Sequence, residues 1–297
     1  MSLIGRLILP AAALAAAGLS CPAIARDLVL EPSSNWELDY APDSCALRRT
    51  FGEGDRQTQL EMRRFSPSTT LQTTVATKAA KIARRSYRFR FGDAEWDEID
   101  HPLYAQFGNG LQGVIFRHAL FEIPFDEDTE AREWDRFQRE NDISALEAEA
   151  AAKVASVTIS RAFHEDIVLN TGSLEEPFRA LNGCVDDLLN RWGIDVAAHK
   201  TRSRSPLPLD PAKAVRMVSY PPKMLRQNLP GLVNVRLDID KTGRVTDCHI
   251  QMPLSDPEFE TSSCADIQHA LEFEPALDRD GNPMKSYFVT AVHFRII

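Results

Sequence analysis

The sequence has no excess of basic residues. Its 297 residues carry 34 lysines and arginines against 43 aspartates and glutamates, a formal net charge of -9. A protein that binds nucleic-acid phosphates needs a clustered basic surface, and electrostatic attachment to an anionic membrane needs a polybasic segment. The composition therefore argues against a nucleic-acid partner and against a polybasic membrane anchor.

Long hydrophobic runs are also scarce. The apolar run at residues 7–19 is shorter than the roughly 20 residues that a membrane-spanning helix needs. It follows a short cationic start and precedes Ala23-Ile24-Ala25, a small-x-small pattern typical of a signal-peptide cleavage site. We therefore predict that residues 1–25 are a cleavable signal peptide and that the exported mature chain has no transmembrane helix. Lipid attachment at Cys21 is the alternative.

Signatures of catalysis are few. The sequence contains no G-x-S-x-G motif and no C-x-x-C pair, and its seven histidines show no i, i+4 pair. Gly108-x-Gly110-x-x-Gly113 matches the dinucleotide fingerprint, but the β-like Val114-Ile115-Phe116 follows where that mechanism needs a helix N-terminus. We interpret it as a glycine-rich hairpin and predict no cofactor, no metal and no catalytic residue. A periplasmic hydrolase with its site in residues 26–198 is the alternative, because catalytic triads are recognised in space and not in sequence.

The cysteines are few but even in number once the predicted signal is removed. Cys45, Cys184, Cys248 and Cys264 remain, and an oxidising compartment favours structural disulfides. Four cysteines allow three pairings, which sequence alone does not distinguish. Because Cys248 and Cys264 lie close in the chain, we prefer that pair, with Cys45 bonded to Cys184.

The composition after the predicted signal peptide changes along the chain and indicates a first domain followed by a linker. Residues 26–198 are predicted to form a β-rich domain with helices at its C-terminal end. Trp36-Glu37-Leu38-Asp39-Tyr40 alternates apolar and polar side chains, as a half-buried strand does. Ser144-x-x-Glu147 and Ser173-x-x-Glu176 are capping boxes that predict two helices. Residues 199–213 are basic and rich in serine and proline, which is typical of a linker.

Residues 214–297 predict a small domain of the order β-β-α-β. Apolar residues alternate with polar ones over residues 233–239, which predicts a strand with one buried face. Asp240-Lys241-Thr242-Gly243 predicts a hairpin turn, and Asp256-Pro257 a capped helix start. Residues 285–297 predict a last strand. The whole chain is therefore predicted to be α+β, a β-rich domain with C-terminal helices followed by this small domain.

Five short motifs follow one another in the last domain. They are Tyr220-Pro221, the Gly-x-Val-x-Val strand from Gly231, the Asp-x-x-Gly hairpin ending at Gly243, Phe273-x-Pro275-Ala276, and the Gly-x-Pro turn from Gly281. In this order and spacing the segment resembles the TonB C-terminal domain family. The resemblance implies a domain in which the preferred Cys248–Cys264 bond links the second strand to the helix.

The resemblance also implies a partner. TonB-like proteins transmit energy to outer-membrane transporters, and the last strand of their domain receives an extended peptide of the transporter by strand addition. Here that strand consists of Tyr287, Phe288, Val289, Thr290, Ala291, Val292, His293 and Phe294. An energy transducer has an uncleaved membrane helix and a long proline-rich spacer, whereas this sequence predicts a cleavable signal and a short connector.

The function predicted from these features is that of a periplasmic TonB-like binding protein. It would recognise an extended segment of an envelope protein, such as a TonB-dependent outer-membrane transporter, and act in TonB-dependent transport. The same strand edge also fits a second copy of the chain. A homodimer formed through the last strand is therefore an alternative to partner binding.

Overall fold

The computed structural model describes residues 27–83, 85–100, 103–121, 131–210, 213, 218–252 and 256–295. The predicted signal peptide, residues 1–25, lies outside the described residues. No helix in the described part is long and apolar enough to cross a membrane. Strands and helices occupy largely separate stretches of the chain, which confirms the α+β class predicted from the sequence.

The strands and helices of the described residues are numbered in chain order. The strands are β1 Leu28–Leu30, β2 Glu37–Ala41, β3 Ser44–Phe51, β4 Thr58–Arg64, β5 Leu71–Thr77, β6 Tyr87–Phe91, β7 Asp97–Ile99, β8 Leu103–Gln106, β9 Gln112–His118, β10 Val157–Ser160, β11 Ile167–Leu169, β12 Leu207–Pro208, β13 Gly231–Ile239, β14 Val245–Met252, β15 Phe273–Glu274, β16 Ala276–Leu277, β17 Pro283–Met284 and β18 Ser286–Phe294. The helices are α1 Ala131–Glu140, α2 Ile143–Lys153, α3 Glu175–Arg191, α4 Val196–Lys200, α5 Pro222–Arg226 and α6 Pro257–Ala270.

Two sheets and helix α3 build the N-terminal region, which we define as residues 27–200. One sheet has the order β2-β3-β4-β5-β9-β8, and the other has the order β1-β11-β10-β6-β7. Apolar side chains of both sheets and of α3 share one core, which includes Leu47, Leu60, Val75, Phe89, Phe116, Ile159 and Phe178. The Cys45–Cys184 disulfide joins β3 to α3 inside this core.

The glycine-rich motif is a turn, as predicted. Gly108–Gly110 forms a 3-10 turn between β8 and β9. Gly113 lies at the start of β9, where a Cβ atom would stand 2.2 Å from the backbone oxygen of Val75 on β5. The third glycine of the motif is therefore required by the close approach of two strands, and not by a nucleotide phosphate.

Helix α2 begins earlier than the capping box predicts. Asp142, and not Ser144, caps it, because its Oδ1 accepts a hydrogen bond from the backbone N–H of Ala145 at 3.1 Å. Glu147 lies buried in an ion pair with Arg64 of β4. A buried carboxylate gains more from a guanidinium than from a backbone N–H that water can also reach. The capping-box prediction is wrong for this helix.

A three-stranded sheet in the order β14-β13-β18 forms the C-terminal region, which we define as residues 218–295. Helix α6 packs on one face of the sheet, over a core that includes Val233, Val235, Leu237, Ile239, Phe259 and Ile267. The Cys248–Cys264 disulfide joins β14 to α6. The hairpin before β14 is the predicted one, since Asp240 Oδ1 accepts from the backbone N–H groups of Thr242 and Arg244. Both disulfides of the preferred pairing are therefore present.

The prediction of one buried face on β13 is wrong, because both faces are covered. Asn234 and Arg236 point away from α6 and are only 1% and 4% exposed. The side-chain nitrogen of Asn234 donates to Gln72 Oε1 of β5 at 3.1 Å. Gln251 of β14 donates to the backbone oxygen of Phe65 at 2.7 Å. The six-stranded sheet of the N-terminal region therefore covers the face that the alternation pattern predicted to be solvated.

The connecting residues also pack. Ser203 donates its backbone N–H to the carbonyl of Leu277 at 3.0 Å, and β12 pairs with β15. Arg204 forms an ion pair with Glu274 at 2.7 Å. The segment whose composition predicts a linker thus runs along the C-terminal region and is held there by hydrogen bonds.

Candidate functional site

Strand β18 lies at an edge of its sheet. All nine residues from Ser286 to Phe294 pair antiparallel with β13. Among the described residues, no strand pairs with the other edge of β18. Every second backbone N–H and C=O group of this strand therefore faces away from the sheet, as in any edge strand.

The side chains of β18 are largely committed to the protein itself. Phe288, Val292 and Phe294 pack in the core beneath α6. Tyr287 and Val289 point to the opposite face and pack against the core of the N-terminal region. Of the predicted site residues, these five therefore have structural roles. At its open edge the strand therefore offers a partner mainly its backbone groups. Three of its side chains remain accessible, the half-exposed Thr290 and Ala291 and the exposed His293.

Tyr287 anchors the beginning of β18 to the N-terminal region. Its hydroxyl lies 3.2 Å from Nε2 of His199, and its ring packs edge-on against Trp192 with the centroids 5.2 Å apart. Burial raises the pKa of the Tyr287 hydroxyl. Burial, together with the nearby charges of Arg202 and Lys200, lowers the pKa of His199 to about 3. Both groups are therefore neutral at physiological pH, as a dry interface requires.

Arg236 fixes the neighbouring strand in the same way. Its guanidinium pairs with Asp43 of the N-terminal region and with Asp238 of its own strand. The guanidinium carbon also lies 4.3 Å from the centroid of the Trp192 ring. These contacts hold β13, and through it β18, at one position against the N-terminal region.

The far end of β18 has a different electrostatic character. His293 and Arg295 are exposed there, and Arg117 of β9 is an exposed neighbour from the N-terminal region. Partial desolvation, and then the positive charges of Arg295 and Arg117, lower the pKa of His293. This end of the strand is therefore positively charged, whereas the Tyr287 end is buried.

The family-motif residues build the fold and do not line the edge. The Tyr220 ring packs edge-on against Phe259, and a Cβ on Gly231 would lie 2.9 Å from the same ring. Gly243 has a φ of +84°, and a Cβ there would lie 1.9 Å from the carbonyl oxygen of Phe273. These motifs are thus explained by turns and close packing. The motifs therefore identify the type of domain but do not show which residues would contact a partner.

The residues that dock β18 or border its exposed end carry no local sequence signal. His199, Trp192 and Arg236 come from three separate segments, and Arg117 from a fourth. Each is unremarkable in its own stretch of sequence. Only the packing of the two regions brings them to the same strand.

A cleft in the N-terminal region bears on the hydrolase alternative. It has a volume of about 240 Å³ and lies among α2, α3 and α4. Its titratable side chains are engaged in structural contacts, Glu147 with Arg64, Lys200 with Asp186, and His199 with Tyr287. In the part of the chain that the structure describes, no three histidine, cysteine or carboxylate side chains are grouped as metal ligands. No observation here favours catalysis, and the hydrolase stays a prediction that the structure does not test.

Comparisons with known proteins bear on the C-terminal region. No curated protein and no solved structure gives a significant match to the chain. The comparison that does give a match is with a sequence model of one protein family, and it covers the C-terminal region. Residues 216–296 match the family described as Gram-negative bacterial TonB protein C-terminal, which confirms the resemblance that the motifs predicted.

Proposed function

We propose that this protein is a periplasmic binding protein of the cell envelope that recognises an extended segment of another envelope protein. The segment adds as a fourth strand to the outer edge of β18. The observation that carries this proposal is that a nine-residue strand of a TonB-type domain is hydrogen-bonded along one edge only among the described residues. A TonB-dependent outer-membrane transporter is the partner that the family match supports.

The backbone supplies the affinity in this proposal. Four or five residues of β18 face the open edge, and each offers one N–H and one C=O group. A segment that pairs with most of the strand would therefore form roughly eight hydrogen bonds, each with a net contribution of about 0.5–1.5 kcal/mol. The ordering of a flexible segment opposes this gain. We therefore expect modest affinity, little dependence on the partner's central side chains, and strong dependence on its ability to form a strand.

The N-terminal region acts as a rigid support in the same proposal. We propose three parts, an N-terminal domain over residues 26–198, a connector over 199–213 and the TonB-type domain over 214–297. Tyr287, through its ring contact with Trp192, and Arg236, through its ion pair with Asp43, dock the edge-strand sheet on the first of these parts. An oxidising periplasm suits the two disulfides.

Titration of the full-length protein with transporter-derived peptides tests the proposal. Amide NMR shifts that saturate and concentrate on residues 286–294 are the expected result. The full chain is needed because an isolated C-terminal domain would expose Asn234 and Arg236, which the N-terminal region buries. A scrambled peptide serves as the control for composition.

Backbone methylation of the peptide provides a sharper control. Two versions are made, each with methyl groups on alternate backbone nitrogens, so that one version loses the N–H groups facing β18 and the other keeps them. Strand addition predicts that one version loses binding and the other retains it. Equal binding by both versions would refute strand addition. A concentration-dependent dimer in sedimentation that excludes the peptide would instead assign the edge to a second copy of the chain.

A further inference from the structure

The N-terminal region contributes an arginine to the exposed end of β18. Gln72 of β5 accepts the hydrogen bond from Asn234, and Arg117 stands directly opposite Gln72 on the neighbouring strand β9. Directly opposed residues share one face of a sheet, so Arg117 lies beside Gln72 on the face that meets the C-terminal region, and its charge acts on His293. On β18, His293 lies on this same face, two residues beyond the partner of Asn234.

The positive charges at this end have no counter-ion in the described part of the chain. No carboxylate there lies within ion-pair distance of Arg117 or Arg295. The arginines at the other end of the strand differ, because Arg202 pairs with Asp135 and Arg236 pairs with Asp43. The edge therefore has a neutralised end at Tyr287 and a positively charged, solvent-exposed end at His293.

A carboxylate is the chemical group that would bind best at the positively charged end of β18. Guanidinium groups bind carboxylates in a planar geometry that can be bidentate, and a charge-assisted hydrogen bond is stronger than a neutral one. The two arginines come from different parts of the fold, one from β9 and one from just after β18. Both charges act on His293, so a segment that lies along β18 would bring one of its side chains to the end where both arginines stand.

We propose that the segment added to β18 carries an acidic residue at the end that lies beside His293, and that Arg117 and Arg295 bind its carboxylate. This inference rests on the proposed function and names the chemistry of the partner. It also gives the N-terminal region a role in recognition. The backbone edge binds many extended segments, and the arginines select those with a correctly placed acidic residue.

Calorimetric titration of the full-length protein tests the inference with three peptides. All share one strand-forming core, and they carry a glutamate at the N-terminal end, a glutamate at the C-terminal end, or glutamine at both ends. Because the segment can add parallel or antiparallel, the two acidic peptides cover both directions. We expect one acidic peptide to bind about 5- to 10-fold more tightly than the glutamine peptide, and we expect the gain to shrink as salt screens the charges.

Variants assign the gain to Arg117. Arg117→Gln should abolish most of the preference for the acidic peptide, measured as the ratio of its affinity to that of the glutamine peptide. Arg179→Gln, which removes an exposed arginine of α3, should leave the preference intact. The series is repeated in a protein that carries Asp126→Asn, Glu127→Gln and Asp128→Asn, which removes the negative charges of the chain's own acidic stretch as competitors for the arginines. Circular dichroism shows whether each variant is folded.

The outcomes separate the two proposals. Equal affinity for the acidic and glutamine peptides would overturn the role of Arg117 and Arg295 while strand addition stands. A preference that survives Arg117→Gln would likewise overturn the role of the N-terminal region. If none of the peptides binds, the proposed function itself fails, and the inference fails with it.

Discussion

The buried imidazole of His199 makes the packing of the two regions sensitive to acid. This side chain is 5% exposed, and its Nε2 faces the hydroxyl of Tyr287. Its pKa falls from the ordinary 6.5 to about 3 in the folded protein because of burial and the nearby charges of Arg202 and Lys200. Protonation therefore favours the unfolded chain, in which the imidazole is hydrated.

The sign and size of the effect follow from linkage. Folding lowers the pKa of His199, so the unfolded chain takes up a proton at a higher pH than the folded protein does. The free energy of unfolding is therefore unaffected by His199 above pH 6.5 and decreases as the pH falls from 6.5 toward 3. Each pH unit inside this window costs about 1.4 kcal/mol. Between about pH 7 and pH 4.5, His199 should lower the free energy of unfolding by about 2–3 kcal/mol. His118, whose pKa is lowered to about 4, titrates in the same window.

Urea unfolding followed by tryptophan fluorescence measures this loss. The wild-type protein and His199→Gln are unfolded at about pH 7 and pH 4.5, and the two losses of stability are compared. The variant should lose about 2–3 kcal/mol less than the wild type over this interval, because carboxylates and His118 contribute equally to both.

A surface histidine provides the control for that experiment. His164 is exposed, and His164→Gln should show the same loss as the wild type. If His199→Gln also loses as much stability as the wild type, His199 is not a buried neutral group. The packing described for Tyr287 would then be refuted with it.

Three further substitutions test the fold. Arg64→Met leaves a buried carboxylate without its cation and should lower the free energy of unfolding by about 3–5 kcal/mol in denaturant titrations. Gly243→Ala should destabilise more than Gly281→Ala, although both positions have positive φ, because only at Gly243 does the new methyl group collide with a backbone oxygen. Equal changes in Tm would contradict that steric reason. Replacing Cys248 and Cys264 by serine opens a short loop and should cost about 3 kcal/mol, measured as a lower urea midpoint.

The sequence predicts most strands, turns and helix starts, because each of these is determined mainly by residues that are close together in the chain. The alternation over residues 233–239 predicts β13, and Asp256-Pro257 predicts the start of α6, where Asp256 caps the helix in the structure. The short spacing between Cys248 and Cys264 predicts their bond. The order of motifs predicts the TonB-type domain, since its glycines satisfy turns that few other residues tolerate.

Tertiary structure determines which faces of these elements are buried and which partners their side chains bind. Asn234 and Arg236 have the alternation of a solvated face, yet a second sheet covers them. Glu147 has the spacing of a capping residue, yet Arg64, 83 positions away in the chain, binds it. Burial depends on the surface that another segment brings, and no residue's neighbours in sequence record that surface. The edge of β18 could thus be predicted from the sequence, whereas the arginine that borders its exposed end, Arg117, follows only from the packing of the two regions.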